Sequence, residues 1–282
     1  MGTPAAKSGE SRPWATLGLP PFPHAVIRFV ALLSKDDAGA GQLADVVRMD
    51  PALSAAILRL VNSAAYGTRV RIDSVTDAIL RVGTERLKGL AYTVGVGTYI
   101  KGARGQKAHH LCWQHSIACA FVAQEIAAAF GTDRGRAYTA GLLHDVGRLA
   151  LLAGYPKEYS ALVTTSIEDS LGLIEAERAM FDVDHCEAGA YLARDWGFSD
   201  ELREAIILHH AVPPPAGGGL PALVHLACRL ADALGFRVAT PEVAWSLDEL
   251  REGLPEMLKQ SWQADLADLA EQTAREVEAT LI

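Results

Sequence analysis

Long apolar segments are absent from this sequence of 282 residues. Nowhere does it reach the roughly 18 consecutive apolar residues that a membrane-spanning helix needs. The first residues carry Lys7, Glu10 and Arg12 among glycine, serine and proline, and they lack the apolar stretch of a secretory signal. We therefore expect a disordered leader over residues 1–18 and a protein that is neither exported nor inserted into a membrane.

Cysteine, aromatic residues and positive charge are also scarce. The four cysteines include no C-x-x-C pair and are too few for a disulfide scaffold, which predicts a reducing, cytoplasmic location. Aromatic residues make up only 7%, which argues against an aromatic-rich binding surface. Lys and Arg number 26 against 34 Asp and Glu, a formal net charge of −8, so the molecule repels polyanions and nucleic-acid binding is not expected.

Apolar residues, in contrast, make up 50% of the chain and recur at helical spacing. No alternating strand pattern competes with them, so the expected fold class is all-α. The predicted helices are three short ones between Ala25 and Val61, one from Ser74 or Thr76 onward, and others over His109 to Phe130, Tyr138 to Leu152, Asp184 to Trp196, Ser199 to His210, Leu220 to Leu234 and Trp262 to Leu281.

Local residues mark where several of these helices begin and end. Asp50, Asp184 and Ser199 are predicted N-caps because their side chains can accept a hydrogen bond from the first helical turn. Gly197 and the run Pro213–Pro215 are predicted ends, since glycine and proline interrupt a helix.

The candidate metal-binding residues are a set of histidines and aspartates. Five of the nine histidines and two aspartates supply imidazole nitrogen and carboxylate oxygen, which suit Zn, Mn and Fe. The set is His115, His144, Asp145, His185, His209, His210 and Asp232. Because seven such groups exceed what one ion takes, two ions bridged by a carboxylate fit better.

The neighbours His144 and Asp145 place a condition on the local backbone. Successive residues of a regular helix point about 100° apart, so both side chains reach one site only if the helix ends there. We expect Gly147 to permit that break.

The order H, HD, H, HH, D resembles the HD superfamily, and upstream motifs narrow the resemblance to the HDOD family, a regulatory offshoot of the HD and HD-GYP proteins. The resemblance extends from Leu19 to about residue 235. Its motifs are Leu19-Pro20-Pro21-Phe22-Pro23, Met49-Asp50-Pro51-Ala52-Leu53, Leu58 to Val61 with Asn62-Ser63, Val75 to Gly83, Trp113-Gln114-His115-Ser116, Ala140 to Arg148, Glu187-Ala188-Gly189-Ala190 and His209-His210.

The resemblance implies a helical N-terminal part packed on an HD-like metal-binding helical core. We expect the leader over 1–18, the N-terminal helical part over 19–105, the core over 106–238 and a C-terminal helical extension over 239–282.

The resemblance also implies a dinuclear metal centre in which Asp145 bridges the ions. The expected ligands are His115, His144, Asp145 and Asp232 for one ion, and Asp145, His185, His209 and His210 for the other. Fe or Mn are the expected metals, with Zn as the alternative. Two divalent ions beside two aspartates leave a net positive charge, which attracts a small anion or a nucleotide, and Arg148 is an expected anion contact.

Three departures separate this chain from the catalytic HD-GYP phosphodiesterases. The paired histidines are followed by Ala211 and Val212 instead of a Gly-Tyr-Pro motif. Arg148 stands where those enzymes carry a lysine. Those enzymes also carry a further glutamate upstream of the first histidine, whereas this chain has Leu111 one turn before His115. Neither a third metal ion nor cyclic di-GMP cleavage is therefore expected.

Three functions follow from this interpretation. The first is a signalling protein whose dimetal site binds a small anionic or nucleotide ligand and passes its occupancy to a protein partner. The second is an active metal-dependent phosphohydrolase, and the third is an adaptor braced by metal. The oligomeric state, the substrate and the partner stay open at this point.

Overall fold

A computed structural model of the chain describes residues 23–33, 35, 38–49, 51–62, 71–99, 107–169, 172–212, 219–239, 246–252, 254, 256, 259 and 266–280. Every regular element in these ranges is a helix, which confirms the all-α prediction. None of the helices described there is both long and apolar enough to cross a membrane. The predictions for residues 1–18, Asp50, Pro213–Pro215 and Leu281 lie outside the described residues.

The N-terminal helices confirm the three short helices that the apolar spacing predicted and the helix expected from Ser74 or Thr76, and they add one more. They are α1 (His24–Leu33), α2 (Ala40–Arg48), α3 (Pro51–Val61), α4 (Val75–Val82) and α5 (Thr84–Tyr99). Phe29 and Ile57 are fully buried between them. α5 contacts α1, α3 and α4 and also the helix Arg134–Leu143, so it links this part to the rest of the chain.

The central helices surround the candidate site. They are α6 (Lys107–Ile126), α7 (Arg134–Leu143), α8 (Val146–Gly154), α9 (Pro156–Asp169), α10 (Leu173–Phe181), α11 (His185–Asp195), α12 (Asp200–Leu208) and α13 (Leu220–Ala233). α6 packs along α7 and α13, while α8 packs on α11. α9 and α10 were not among the predicted helices.

Two further helices follow, α14 (Leu247–Glu252) and α15 (Leu266–Thr280). α15 packs on α6 and buries Thr273 and Val277. The predicted final amphipathic helix is thus a packing element of the central part.

Three predicted helix starts are confirmed by their caps. The side chains of Ser74, Asp184 and Ser199 each accept a hydrogen bond from the backbone N–H three positions later, at 3.4, 2.8 and 3.3 Å respectively. Gly197 adopts a left-handed φ of +72° just after α11, as its predicted role as a helix end requires.

The predicted helical ranges Tyr138 to Leu152 and Ser199 to His210 are both interrupted, the first at the break expected for His144 and Asp145. The stretch from Tyr138 to Leu152 is two helices, because α7 ends at Leu143 and α8 begins at Val146. α12 ends at Leu208, before the paired histidines that its predicted range included. Both interruptions have the same cause, a histidine ring that bonds to the end of its own helix.

Candidate metal centre

The helices α7 and α12 are each followed by a histidine whose ring points into the candidate site. His144 follows α7 and His209 follows α12, and each bonds its ring Nδ1 to the carbonyl three residues earlier, at 2.6 Å in both cases. In a continuing helix, that carbonyl accepts the hydrogen bond from the backbone N–H of the residue after the histidine. The ring therefore competes with continuation of the helix. The two imidazoles are fully buried.

The break after α7 brings His144 and Asp145 into the same site. Asp145 takes a non-helical conformation, with φ −100° and ψ 18°, and α8 begins at the next residue. Its carboxylate is fully buried. The predicted interruption of the helix at this pair is therefore confirmed.

Gly147 serves a different purpose from the one predicted. Its φ is not positive, so it does not supply the unusual conformation of the break. A Cβ on Gly147 would instead lie 1.9 Å from the carbonyl oxygen of His185 and 2.6 Å from the amide nitrogen of Gly189. Glycine is needed because the backbones of α8 and α11 approach this closely, and the approach places His185 beside Asp145.

The two carboxylate oxygens of Asp145 face different groups of histidines. Oδ2 lies 3.7 Å from the Nε2 atoms of both His115 and His144. Oδ1 lies 3.1 Å from Nε2 of His209 and 3.5 Å from Nε2 of His185. The side-chain atoms therefore form two groups that could each hold a metal ion, Asp145 with His185, His209 and His210, and His115 with His144 and Cys228.

Four of these rings are oriented through the nitrogen that points away from Asp145. A neutral imidazole has one N–H, so an Nδ1 that donates leaves a lone pair on Nε2. Proteins orient metal-binding histidines in this way. The Nδ1 contacts are His115 to the carbonyl oxygen of Phe236 at 2.8 Å, His144 to that of Gly141 at 2.6 Å, His209 to that of Ile206 at 2.6 Å and His185 to Oε2 of Glu177 at 2.6 Å.

One buried ring nitrogen without a hydrogen-bond partner is direct evidence that a cation fits beside Asp145. Nε2 of His185 is buried and has no hydrogen-bond partner, although it points towards Oδ1 of Asp145. A buried polar atom without a partner is unfavourable. A metal ion bound by both atoms satisfies them, and the nitrogen and oxygen donors suit Mn, Fe or Zn. The residues present therefore fit a metal ion.

Arg148 lies inside the site and is 6% exposed. Its Nε donates to Oδ2 of Asp145 at 2.7 Å, and its Nη2 donates to Nε2 of His210 at 3.1 Å. Nη1 lies 3.8 Å from a carboxylate oxygen of Glu177 and makes no hydrogen bond. The guanidinium thus couples Asp145 to His210 and keeps one donor uncommitted.

Glu177 on α10 belongs to the site, although it was not among the residues predicted from the sequence. Its carboxylate accepts hydrogen bonds from the ring Nδ1 and the backbone N–H of His185, at 2.6 and 2.9 Å, and from the hydroxyl of Tyr159 at 2.6 Å. It is fully buried between Leu173 and Phe181, which lie one turn away on the same helix face. A glutamate on the apolar face of a helix is the sequence signal that could have found it.

Asp232 lies elsewhere than the predicted ligand set placed it. Its Oδ1 is 3.4 Å from Nδ1 of His115, on the side of the ring opposite to His144. Sγ of Cys228, also on α13, lies 3.6 Å from Nε2 of His115, the nitrogen that faces His144. The structure therefore brings six of the seven predicted residues together around Asp145 and leaves Asp232 behind His115.

Charge concentrates around the buried carboxylates. Burial alone would raise the pKa of Asp145, but the charge of Arg148 and the hydrogen bond with His209 hold it well below its usual value. Burial likewise opposes a charge on Glu177, and the adjoining His185 lowers its pKa. Both carboxylates are therefore ionised, and the site contains two fixed negative charges.

Four of the buried histidines, His144, His185, His209 and His210, divide into two electrostatic classes. Burial lowers the pKa of His144 and His210 well below the usual value, so both rings are neutral. Burial also opposes a charge on His185 and His209, but Cys186 and the carboxylates beside them raise these pKa values to about 10 and about 9. The field on the Oδ1 side of Asp145 thus favours positive charge, which a proton or a metal ion can supply.

The model of the HDOD domain matches residues 19–212, more than half of the chain. The chain belongs to the HDOD family. Among solved structures, an HDOD domain protein of unknown function from Geobacter sulfurreducens is 27% identical, with a TM-score of 0.70 over 93% of this chain and 90% of that one. A protein of Shewanella amazonensis SB2B, provisionally named a phosphohydrolase, is 25% identical, with a TM-score of 0.69 over 93% and 94%.

Longer proteins also contain a region similar to this chain. A protein of Marinobacter aquaeolei VT8, provisionally named a signal transduction protein, is 26% identical with a TM-score of 0.75, and the match covers 97% of this chain and 62% of that one. An uncharacterized protein of Treponema pallidum (strain Nichols) is 27% identical over 197 residues, 69% of this chain. This chain spans only 38% of that protein's length.

Two further groups lie beside the HDOD site without joining its metal-binding groups. Sγ of Cys186 lies 3.9 Å from Nδ1 of His209. His225, one turn before Arg229, accepts a hydrogen bond from that arginine's Nε at 2.9 Å.

Proposed function

We propose that this HDOD protein is a signalling module whose HD site holds two divalent or transition metal ions, one on each side of Asp145, and binds a small anionic or nucleotide ligand. The observation that carries the proposal is the arrangement around that carboxylate. Each of its oxygens faces two buried histidine Nε2 atoms, and the Nδ1 of each ring is already engaged.

Each side of Asp145 contributes a different set of donors to the proposed centre. His115 and His144 bind on the Oδ2 side, and His185, His209 and His210 bind on the Oδ1 side. Ions bound there supply Lewis acidity and lower the pKa of bound water.

The ligand of the proposed module is an anion. Arg148 offers a buried Nη1 donor that makes no hydrogen bond, and two metal ions add positive charge around it. A phosphate or carboxylate oxygen matches both features. In this proposal the occupied site is recognised by a signalling protein partner.

Metal analysis tests the proposal. We expect about two Fe, Mn or Zn ions per chain in protein purified without chelator, and loss of at least one of them in Asp145→Asn. Asp195→Asn is the matched control, because Asp195 is an exposed carboxylate on α11. Protein that contains no such metal, and cannot be reloaded with it, would contradict the proposal.

Phosphoester hydrolysis is the second candidate, favoured by a single carboxylate shared between two groups of donors. Two-metal phosphoesterases use this arrangement to stabilise the attacking and leaving oxygens. The assay is release of nitrophenol from nitrophenyl phosphate mono- and diesters with Mn²⁺. Turnover that Asp145→Asn abolishes supports the enzyme, whereas phosphate binding without turnover supports the signalling module alone.

A further inference from the structure

Cys228 lies where the predicted ligand set placed Asp232. The two residues are one turn apart on α13, and Cys228 is 1% exposed. Its sulfur lies 3.6 Å from Nε2 of His115, and one ligand atom of each of Cys228, His115 and His144 falls within 4.8 Å of the others. A buried thiol thus faces the two nitrogens on the Oδ2 side of Asp145.

The distances within this group match a tetrahedral metal site. With bonds of about 2.0 Å to nitrogen and about 2.3 Å to sulfur, a tetrahedral ion separates two nitrogens by about 3.3 Å and nitrogen from sulfur by about 3.5 Å. The observed separations are 3.2 Å between Nε2 of His115 and of His144, and 3.6 Å between Nε2 of His115 and Sγ of Cys228. Oδ2 of Asp145, 3.7 Å from each nitrogen, can supply the fourth ligand.

The facing nitrogens provide a second, independent argument. Both His115 and His144 engage a backbone carbonyl with Nδ1, so both direct Nε2 towards the same point. Two imidazole lone pairs 3.2 Å apart repel each other unless a cation or a proton lies between them. The thiol therefore adjoins a position that already favours a cation.

We infer that Cys228 is a thiolate ligand of the metal ion held by His115 and His144, with Asp145 as the fourth ligand. The inference rests on the proposed metal centre and assigns one of its two positions. Coordination replaces the S–H proton of Cys228 by the metal ion, and the proton leaves to solvent. A sulfur ligand shifts this position towards Zn or Fe and away from Mn, which prefers oxygen and nitrogen.

The same geometry gives Asp232 a positioning role. Its carboxylate approaches Nδ1 of His115 at 3.4 Å, beside the carbonyl of Phe236, so it acts on the ring and not on the ion. A carboxylate behind a metal-binding histidine fixes the orientation of the ring and strengthens it as a ligand.

Absorption spectra of the full chain loaded with Co²⁺ test the inference, because thiolate coordination produces a charge-transfer band that nitrogen and oxygen ligands do not. We expect this band in the wild-type protein and its loss in Cys228→Ser. Cys119→Ser and Cys112→Ser are matched controls with buried cysteines outside the group, and both should keep the band. Asp232→Asn should also keep it.

Folding of Cys228→Ser does not limit the test, since a complementary variant leaves Cys228 in place. With Cys112, Cys119 and Cys186 replaced by serine, Cys228 is the only cysteine left among the four, and the band should persist. Bound cobalt without the band in the wild type, or a band that survives Cys228→Ser, would overturn the inference and leave the metal centre standing. Failure to bind any cobalt would overturn the metal centre as well.

Discussion

The two sides of Asp145 are built differently. On the Oδ2 side, the rings of His115 and His144 are both held by backbone carbonyls. On the Oδ1 side only His209 is held in that way, whereas His185 depends on Glu177 and His210 accepts from Arg148.

This difference separates a part of the site fixed by helix ends from a part fixed by buried charges. A ring bonded to a backbone carbonyl stays oriented as long as the local helices stay in place. A ring bonded to a side chain can be released by one substitution elsewhere in the chain. We therefore expect substitutions of the buried charged residues to act on the Oδ1 side first.

Arg148→Met is expected to have the largest effect. It leaves Asp145 buried without its cationic partner, and breaking a buried ion pair typically destabilises a protein by about 3–5 kcal/mol. The measurement is urea unfolding of chelator-treated protein. Adding Mn²⁺ should recover part of the loss, because a metal ion can replace the guanidinium beside Asp145.

Arg136→Met is the matched control, since the ion pair of Arg136 with Glu201 is exposed. An exposed pair contributes about 0–1 kcal/mol, so this variant should unfold at nearly the wild-type urea concentration. Equal losses of unfolding free energy in the two arginine variants would argue against a structural role for the buried charge of Arg148.

Gly147→Ala ranks next and tests the contact that brings α11 to Asp145. The added Cβ meets the backbone carbonyl of His185, which has no side-chain freedom to move away, and over-packing of this kind costs about 3 kcal/mol. The free energy of unfolding and the metal content should both fall. Gly41→Ala, where no atom lies within 4 Å of the new Cβ, should not destabilise the protein.

Glu177→Gln is expected to weaken metal binding on one side only. The amide removes the negative charge that orients His185, and loss of such a partner lowers metal affinity about 10–100-fold. Calorimetric titration with Zn²⁺ should show one weakened site and one unchanged site. Glu175→Gln changes an exposed residue on the same helix and should leave both sites unchanged. Equal weakening of both sites by Glu177→Gln would contradict the difference between the Oδ1 and Oδ2 sides of Asp145.

The sequence predicted the part of this site that local rules determine. The break between His144 and Asp145 follows from the need to direct adjacent side chains to one place, and the caps at Asp184 and Ser199 follow from their side chains. The all-α class follows from the spacing of apolar residues.

The unpredicted features all depend on contacts between different helices. Glu177, on α10, bonds to His185 at the start of α11, and nothing in the spacing of the histidines requires a carboxylate there. The purpose of Gly147 depends on the approach of α11. Whether Cys228 or Asp232 faces His115 depends on how α13 is rotated about its axis, which residue types alone do not reveal.

Asp184→Ala is expected to have the smallest effect. Loss of an N-cap costs about 1 kcal/mol. Ser74→Ala removes the cap of α4 and should cost a similar amount. Because α11 begins at His185, only Asp184→Ala should also reduce metal affinity on the Oδ1 side, and an equal reduction in Ser74→Ala would contradict that link.

Anomalous diffraction from crystals of the metal-loaded protein shows directly how many metal ions Asp145 serves. We expect two peaks separated by the carboxylate of Asp145, one beside Nε2 of His115 and His144 and the other beside Nε2 of His185 and His209. A single peak, or peaks away from Asp145, would contradict the claim that its two oxygens serve two metal ions.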